Sequence, residues 1–321
     1  MIKIKKRYLV AAALVLFGII LAFSLFLSVD ISKTSAALST LDLTLVALSF
    51  IIYLAVYFLR ALRFYILMHK KISFKSIFIV TCIHNFLNTA LPSRIGELSY
   101  PVLMKKWLSV RGVESLSNLI LSRILDGLGI ISIFLLAFSC YVFGSVWFFL
   151  FAPLTVLSFA CTFLFLSRVN VIFWPFLIFR KTFKSDRAKR IFRYIEQIKS
   201  LSKEYSSKER IKLVVFSLAL NFLMFLVGYV LLLAVGVNIP IVEGFVGGAL
   251  SSISVILPIQ GFFNIGTLEV GWIFGYGYVG VGFDQAVISG FVYHAINIIF
   301  ISILFLAASG LAVINRYFVK R

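Results

Sequence analysis

Six runs of about twenty or more mostly apolar residues divide this sequence, at 8–28, 43–67, 117–143, 146–166, 211–235 and 285–313. A helix needs about 20 such residues to cross the hydrocarbon of a bilayer. That feature excludes a soluble fold, and composition agrees. Of the 321 residues 61% are hydrophobic and 13% charged, with a mean hydropathy of +1.06, whereas a soluble domain is roughly half apolar and a quarter charged. The expected fold class is all-α: a polytopic integral membrane protein, with one transmembrane domain over residues 1–321.

The net charge of +19 would suggest nucleic acid as the partner of a soluble protein. Here the cations sit between apolar runs, which points instead to topology and to anionic headgroups, with no nucleic acid involved. Lys3, Lys5, Lys6 and Arg7 precede the first run, so the N-terminus is expected in the cytoplasm. That run is too long for a signal-peptide core and lacks a small-x-small cleavage site. The loop 29–42 is poor in cations and expected outside. Arg60, Arg63, His69, Lys70 and Lys71 close the second run with a cytoplasmic signature. The stretch 168–212 holds thirteen Lys/Arg against four acids and reads as a cytoplasmic loop. Within it Ile191, Ile195, Ile198 and Tyr205 fall near helical spacing, so the loop is either a basic amphipathic helix on the bilayer surface or a solvated segment. Whether it recruits a cytoplasmic partner enzyme stays open. Ser206-x-x-Glu209 reads as a capping box that opens the next helix. Arg316, Lys320 and Arg321 place the C-terminus in the cytoplasm, and the expected location is the plasma membrane.

Two further apolar runs are too short and are interrupted. Residues 76–91 lead to Pro92 and a second piece, 93–104. Residues 241–257 lead to Pro258 and a second piece, 267–282. The first pair begins and ends beside cationic loops, and the second begins and ends beside cation-poor ones. Each is expected to be a re-entrant hairpin of half-helices, one entering from each face. The chain then repeats span, broken hairpin, span, in halves of about 43–143 and 211–313 with opposite orientation, an arrangement found in many transporters. The alternative is that each short run crosses a thinned bilayer completely. Eleven of the 20 glycines lie between 241 and 290, which lets helices approach closely.

Backbone freed by a break in hydrocarbon survives only where protein or a water-filled cavity covers it, and ionisable residues there mark function. The candidate substrate-binding residues are therefore Asn88, Pro92, Arg94, Gly96 and Glu97 at the first break. Pro258, Gly261, Asn264, Thr267 and Glu269 form the second group, and Arg123 and Asp126 lie on the third full span. A half-helix starting at Pro92 would aim unpaired N–H groups at the membrane centre, and Arg94 adds a donor fork suited to phosphate. Asn264 and Thr267 would line or cap the opposing half-helix. Glu97 and Glu269 would balance Arg94, bind an amine or carry a proton. Arg94 with Glu97, and Arg123 with Asp126, are also spaced for plain structural ion pairs. Arg60, Arg63, His84 and His294 are further candidates. Cys82, Cys140 and Cys161 sit in or at the edge of apolar segments at unrelated spacings and read as packing residues. No catalytic residue, metal or cofactor is expected, since no hydrolase elbow, His-Glu-x-x-His or paired ligand set occurs.

Three stretches carry a resemblance. Leu91-Pro92-Ser93-Arg94-Ile95-Gly96-Glu97, then Arg123-Ile124-Leu125-Asp126, then Pro258, Gly261 and Glu269 resemble the membrane region of lysylphosphatidylglycerol synthases and their flippase-like stand-alone relatives. Arg60 and Arg63 match an arginine pair of that family. The sequence departs from it at Tyr100, where the family often has arginine, in a late motif lengthened by Phe262 and Phe263, and at Tyr293-His294, where a basic residue is common. The resemblance implies translocation of a lipid between leaflets: an anionic phospholipid or a polyprenyl-phosphate-linked glycan. Without an aminoacyl-transferase domain the chain is not expected to make lysyl lipid, nor to be an enzyme. A secondary transporter of a small solute or ion is the main alternative, followed by a membrane enzyme or a scaffold. The lipid, the direction, the energy source and the oligomeric state are not encoded legibly.

Overall fold

A computed structural model describes residues 31–167, 196, 200, 205–256 and 260–314. The run 8–28, most of the basic loop with Ile191, Ile195 and Ile198, Pro258 and the C-terminal cations lie outside the described residues. Among the described residues every regular element is a helix. They are α1 (Ile31–Ser39), α2 (Leu43–Leu67), α3 (Phe74–Ala90), a 3-10 turn (Pro92–Leu98), α4 (Ser99–Leu108), α5 (Gly112–Ser167), α6 (Ser207–Ala234), α7 (Ile241–Ile256), a second 3-10 turn (Phe262–Asn264), α8 (Thr267–Tyr278) and α9 (Phe283–Ile314). Four stretches within them are long and apolar enough to cross a membrane: Leu43–Leu67, Gly112–Val142, Ser207–Ala234 and Phe283–Ile314.

Local chemistry sets the ends. Asp42 caps α2 by accepting from the backbone of Thr44 and Leu45. Ser206 and Glu209 form the expected reciprocal box at the start of α6: the serine hydroxyl accepts from the Glu209 N–H and the carboxylate accepts from the Ser206 N–H. Gly144, at φ 68°, bends α5 between its two apolar stretches.

A few contacts fix the direction of every helix. The Asp42 N–H donates to the carbonyl of Ala234 at 3.1 Å, joining the start of α2 to the end of α6. At the other end the Tyr205 hydroxyl donates to the carbonyl of Leu67 at 2.9 Å, and Lys70 reaches Glu209 at 3.8 Å. Thus α2 and α6, the first helices of the two halves, run antiparallel side by side. Lys71–Glu114, at 3.9 Å, puts the start of α5 beside the end of α2. Lys33–Asp284, at 2.8 Å, puts the start of α9 at the opposite end of the bundle. It follows that α3, its turn and α4 leave and return at one end of the bundle, whereas α7, its turn and α8 leave and return at the other. The packing respects the exchange of halves: α3 lies on α9 as α7 lies on α5, α4 lies on α5 as α8 lies on α9, and the two turns touch.

Tyr205 departs from the expectation. Its ring stacks on His69 with centroids 4.6 Å apart, and the residue is 1% exposed. It closes the end of the bundle rather than lying on a bilayer surface, because its hydroxyl satisfies a carbonyl that α2 leaves unpaired at its C-terminus.

Candidate functional site

The first break begins where a proline demands it. α3 stops at Ala90 and Leu91 is extended, at φ −93° and ψ 136°, since a residue preceding proline avoids the helical region. Arg94 then takes φ 56°, a left-handed conformation uncommon outside glycine. Gly96 has no room for a side chain: a Cβ there would lie 2.2 Å from the Leu87 carbonyl oxygen and 2.4 Å from the Asn88 Cα. The turn is thereby folded back onto the last turn of α3. The expected half-helix opening at Pro92 is corrected by this geometry. Pro92–Leu98 is a 3-10 turn and α4 opens only at Ser99, because the left-handed Arg94 interrupts α-helical bonding. Any dipole at the start of that helix therefore falls at Ser99.

Around this turn a charged cluster assembles from α2, α5 and the turn itself. Arg123 Nε lies 3.3 Å from Glu97 Oε1, and Arg94 Nη1 lies 3.6 Å from the same oxygen. Arg123 Nη1 lies 3.6 Å from Asp126. Asp126 in turn accepts a short hydrogen bond from Arg63, which also donates to Ser217 Oγ at 3.2 Å. Arg60 donates to Asn85 Oδ1 at 2.8 Å and lies over the Tyr57 ring. Read from sequence, Arg60 and Arg63 belong to the cationic, cytoplasmic end of α2 and are further site candidates. In the structure Arg63 is 1% exposed, because it turns into the bundle to meet Asp126. The i,i+3 pairs exist, but the closest partner of Asp126 comes from α2. Ser217 and Asn85 are site residues the sequence reading missed. Asn85 was findable beside Asn88 as one of two amides on a largely apolar helix, but nothing sets Ser217 apart from other serines. His84 is also buried, with Nδ1 2.8 Å from Ser99 Oγ at the head of α4.

The second break is organised by a different pair. Gly261 is extended, and Phe263 and Asn264 both take left-handed φ, at 52° and 61°. The N-terminus of α8 is capped by Glu269, whose Oε2 accepts from the Gly266 N–H at 2.7 Å. This corrects the capping half of the expectation for Asn264 and Thr267. The threonine hydroxyl donates backwards, to the Asn264 carbonyl at 3.0 Å. The other oxygen of Glu269 meets His294 Nδ1 from α9, and His294 Nε2 lies 2.7 Å from the Phe263 carbonyl oxygen. Glu269 is thus held by His294, apart from the arginine cluster that holds Glu97. Asn88 Oδ1 and Asn264 Oδ1, one beside each break, are buried without a hydrogen-bond partner. Groups of three or more metal-ligating side chains do not occur among the described residues.

No curated protein matches this chain. No solved structure matches it either. A family model does, that of the lysylphosphatidylglycerol synthase TM region, over residues 9–304. The matched span takes in both breaks, the arginine cluster and the Glu269–His294 pair, and it places the chain among multi-pass membrane proteins of lipid metabolism or translocation. On that match, which covers most of its length, the chain belongs to the lysylphosphatidylglycerol synthase TM region family.

Proposed function

We propose that this protein is a lipid translocator, in which an anionic lipid headgroup binds between the two breaks while its tails stay in the bilayer. The observation that carries this reading is the charge of the cluster. Among the described residues Arg63, Arg94 and Arg123 pair with two carboxylates, Glu97 and Asp126, and Arg60, bonded to Asn85, lies within electrostatic reach of Asp126. A site where arginines gather at membrane depth favours an anionic ligand, and planar donor forks suit phosphate. An apolar cavity of about 90 Å³, bordered by Gly228, Gly248, Leu268 and Trp272, suits a stretch of hydrocarbon beside the second break. The reading assigns binding and movement to the site rather than bond making.

Arg94 is the residue to test, since its side chain is 31% exposed and Glu97 keeps Arg123 as a partner without it. In liposomes carrying fluorescent phosphatidylglycerol, Arg94→Ala is expected to slow translocation at least tenfold, equivalent to about 1.4 kcal/mol, with its melting temperature unchanged. Wild-type rates in both Arg94→Ala and Arg60→Gln would remove the site.

In this reading the broken segments are re-entrant. The cationic end of the bundle, with Lys71, Lys105, Lys106 and Arg111, faces the cytoplasm of a plasma membrane. Single cysteines at Lys71 and Lys106 are expected to be shielded from an impermeant maleimide applied to intact cells, whereas cysteines at Asn238 and Gln285 react. All four positions are exposed. Reaction of only one member of either pair shows that its segment crosses completely.

A further inference from the structure

His294 sits between two acceptors. Its Nε2 faces the carbonyl oxygen of Phe263, at 2.7 Å, and its Nδ1 faces the carboxyl group of Glu269. A carbonyl only accepts, so Nε2 must carry a hydrogen. The contact on the other side needs another, either on Nδ1 or on the Glu269 oxygen. In both cases the pair holds one proton more than a neutral imidazole facing a bare carboxylate, and its net charge is zero. Glu269 is 1% exposed and His294 4% exposed, so removing that proton would leave an uncompensated charge away from water and set a carboxylate against a nitrogen lone pair. The depth is that of a membrane interior: His294 lies about 17 Å along α9 from its start.

The same two side chains hold the second break in place. His294 ties the backbone of Phe263, in its left-handed conformation, to α9. Glu269 fixes the first turn of α8 through the Gly266 N–H. Left-handed non-glycine residues are strained and persist only where their surroundings hold them. Loss of the proton removes one of those holds.

The elements packed against α8 and α9 carry other ionisable groups. On α3, which packs on α9 and the second turn, they are Lys75, Cys82 and His84, and on the first turn Arg94 and Glu97. On α8 and α9 themselves they are Tyr276, Tyr278, Tyr293 and Asp284, and on α7 and α1 Glu243 and Lys33. On α6 they are Tyr229 and, in its first turns, Lys208, Glu209, Arg210 and Lys212. Among the described residues the ion pair of Glu269 is with His294.

We infer that Glu269 and His294 form a proton-binding site whose loading clasps the second break to the last helix, so that a transmembrane proton gradient drives or gates transport. The inference rests on the translocator reading above, and the site's ligand is the proton itself. The test uses the full chain in liposomes containing fluorescent phosphatidylglycerol, with and without an imposed pH gradient. The wild-type rate is expected to change at least fivefold with the gradient and to lose that response with a protonophore. Glu269→Gln/His294→Gln, whose amides can keep both hydrogen bonds without titrating, is expected to show no response. A wild-type protein that translocates indifferently to the gradient, or a double variant that still responds, overturns the inference. If phosphatidylglycerol is not moved at all, the translocator reading fails separately and proton counting still decides this one. Titrated from alkaline to acid pH across its folded range, detergent-solubilised wild type is expected to take up at least one proton more per chain than the double variant, since only the wild-type pair can bind it. An equal uptake overturns the proton site.

Discussion

Asp126→Ala is expected to destabilise the protein by about 3–5 kcal/mol, the usual result of removing one member of a buried ion pair. The reason is what stays behind. Arg63 is 1% exposed and loses the one carboxylate it pairs with among the described residues, keeping the neutral hydroxyl of Ser217. Arg123 loses Asp126 at 3.6 Å and retains Glu97. Three guanidinium groups, those of Arg60, Arg63 and Arg123, then lie within electrostatic reach of one another around a site from which their shared anion has gone. The check is thermal unfolding of purified protein in detergent, followed by a double-mutant cycle. Arg63→Met in the Asp126→Ala background is expected to recover more than half of the loss, because the stranded charge is removed with it. If Asp126→Ala melts like wild type, the pair is not the internal strut described here, and the buried position of Arg63 loses its explanation.

The same residues show where sequence ends as a guide. Four of the six expected long spans were legible because lipid imposes a length on any helix that crosses it: α2 has the expected bounds and α9 differs by two residues at its start. The first break was legible because Pro92 leaves the chain little choice at Leu91. The interior of the break was not. Nothing local in Ser93-Arg94-Ile95 announces a left-handed arginine, and that conformation moves the start of α4 to Ser99. Pairings across the bundle were least visible. Arg63 and Asp126 are 63 positions apart and Glu269 and His294 are 25 apart, and the helical spacing that suggests Arg123–Asp126 carries no information about partners on other helices. Glu269 was singled out, to balance Arg94, bind an amine or carry a proton. Its role as cap of α8 and partner of His294 emerges only once α8 and α9 are packed together.

Gly275→Leu is the second large effect, and it reaches the site from a distance. A Cβ at Gly275 would lie 2.2 Å from the Gly247 carbonyl oxygen and 2.7 Å from the Ser251 backbone nitrogen. The obstacle is thus the backbone of α7, which cannot swing aside as a side chain can. One turn earlier Gly271 meets Ser254 and the Ser251 carbonyl in the same way, so α8 presents small residues four apart to a matching stripe on α7. Leucine there must push the two half-helices apart. The cost is expected to exceed about 3 kcal/mol, the upper end for overpacking that side chains can absorb. Moving α8 also displaces Glu269, two turns earlier on the same helix, so transport falls with stability. Gly277→Leu is the control: it is exposed, and a Cβ there meets nothing within 4 Å. That change is expected to leave the melting temperature equal or higher, since glycine inside a helix is about 1 kcal/mol worse than a good helix former. The contrast between two glycines two residues apart separates close helix packing from a general intolerance of bulk in this segment. Equal losses in the two variants mean that α7 and α8 do not meet along the Gly271 and Gly275 face.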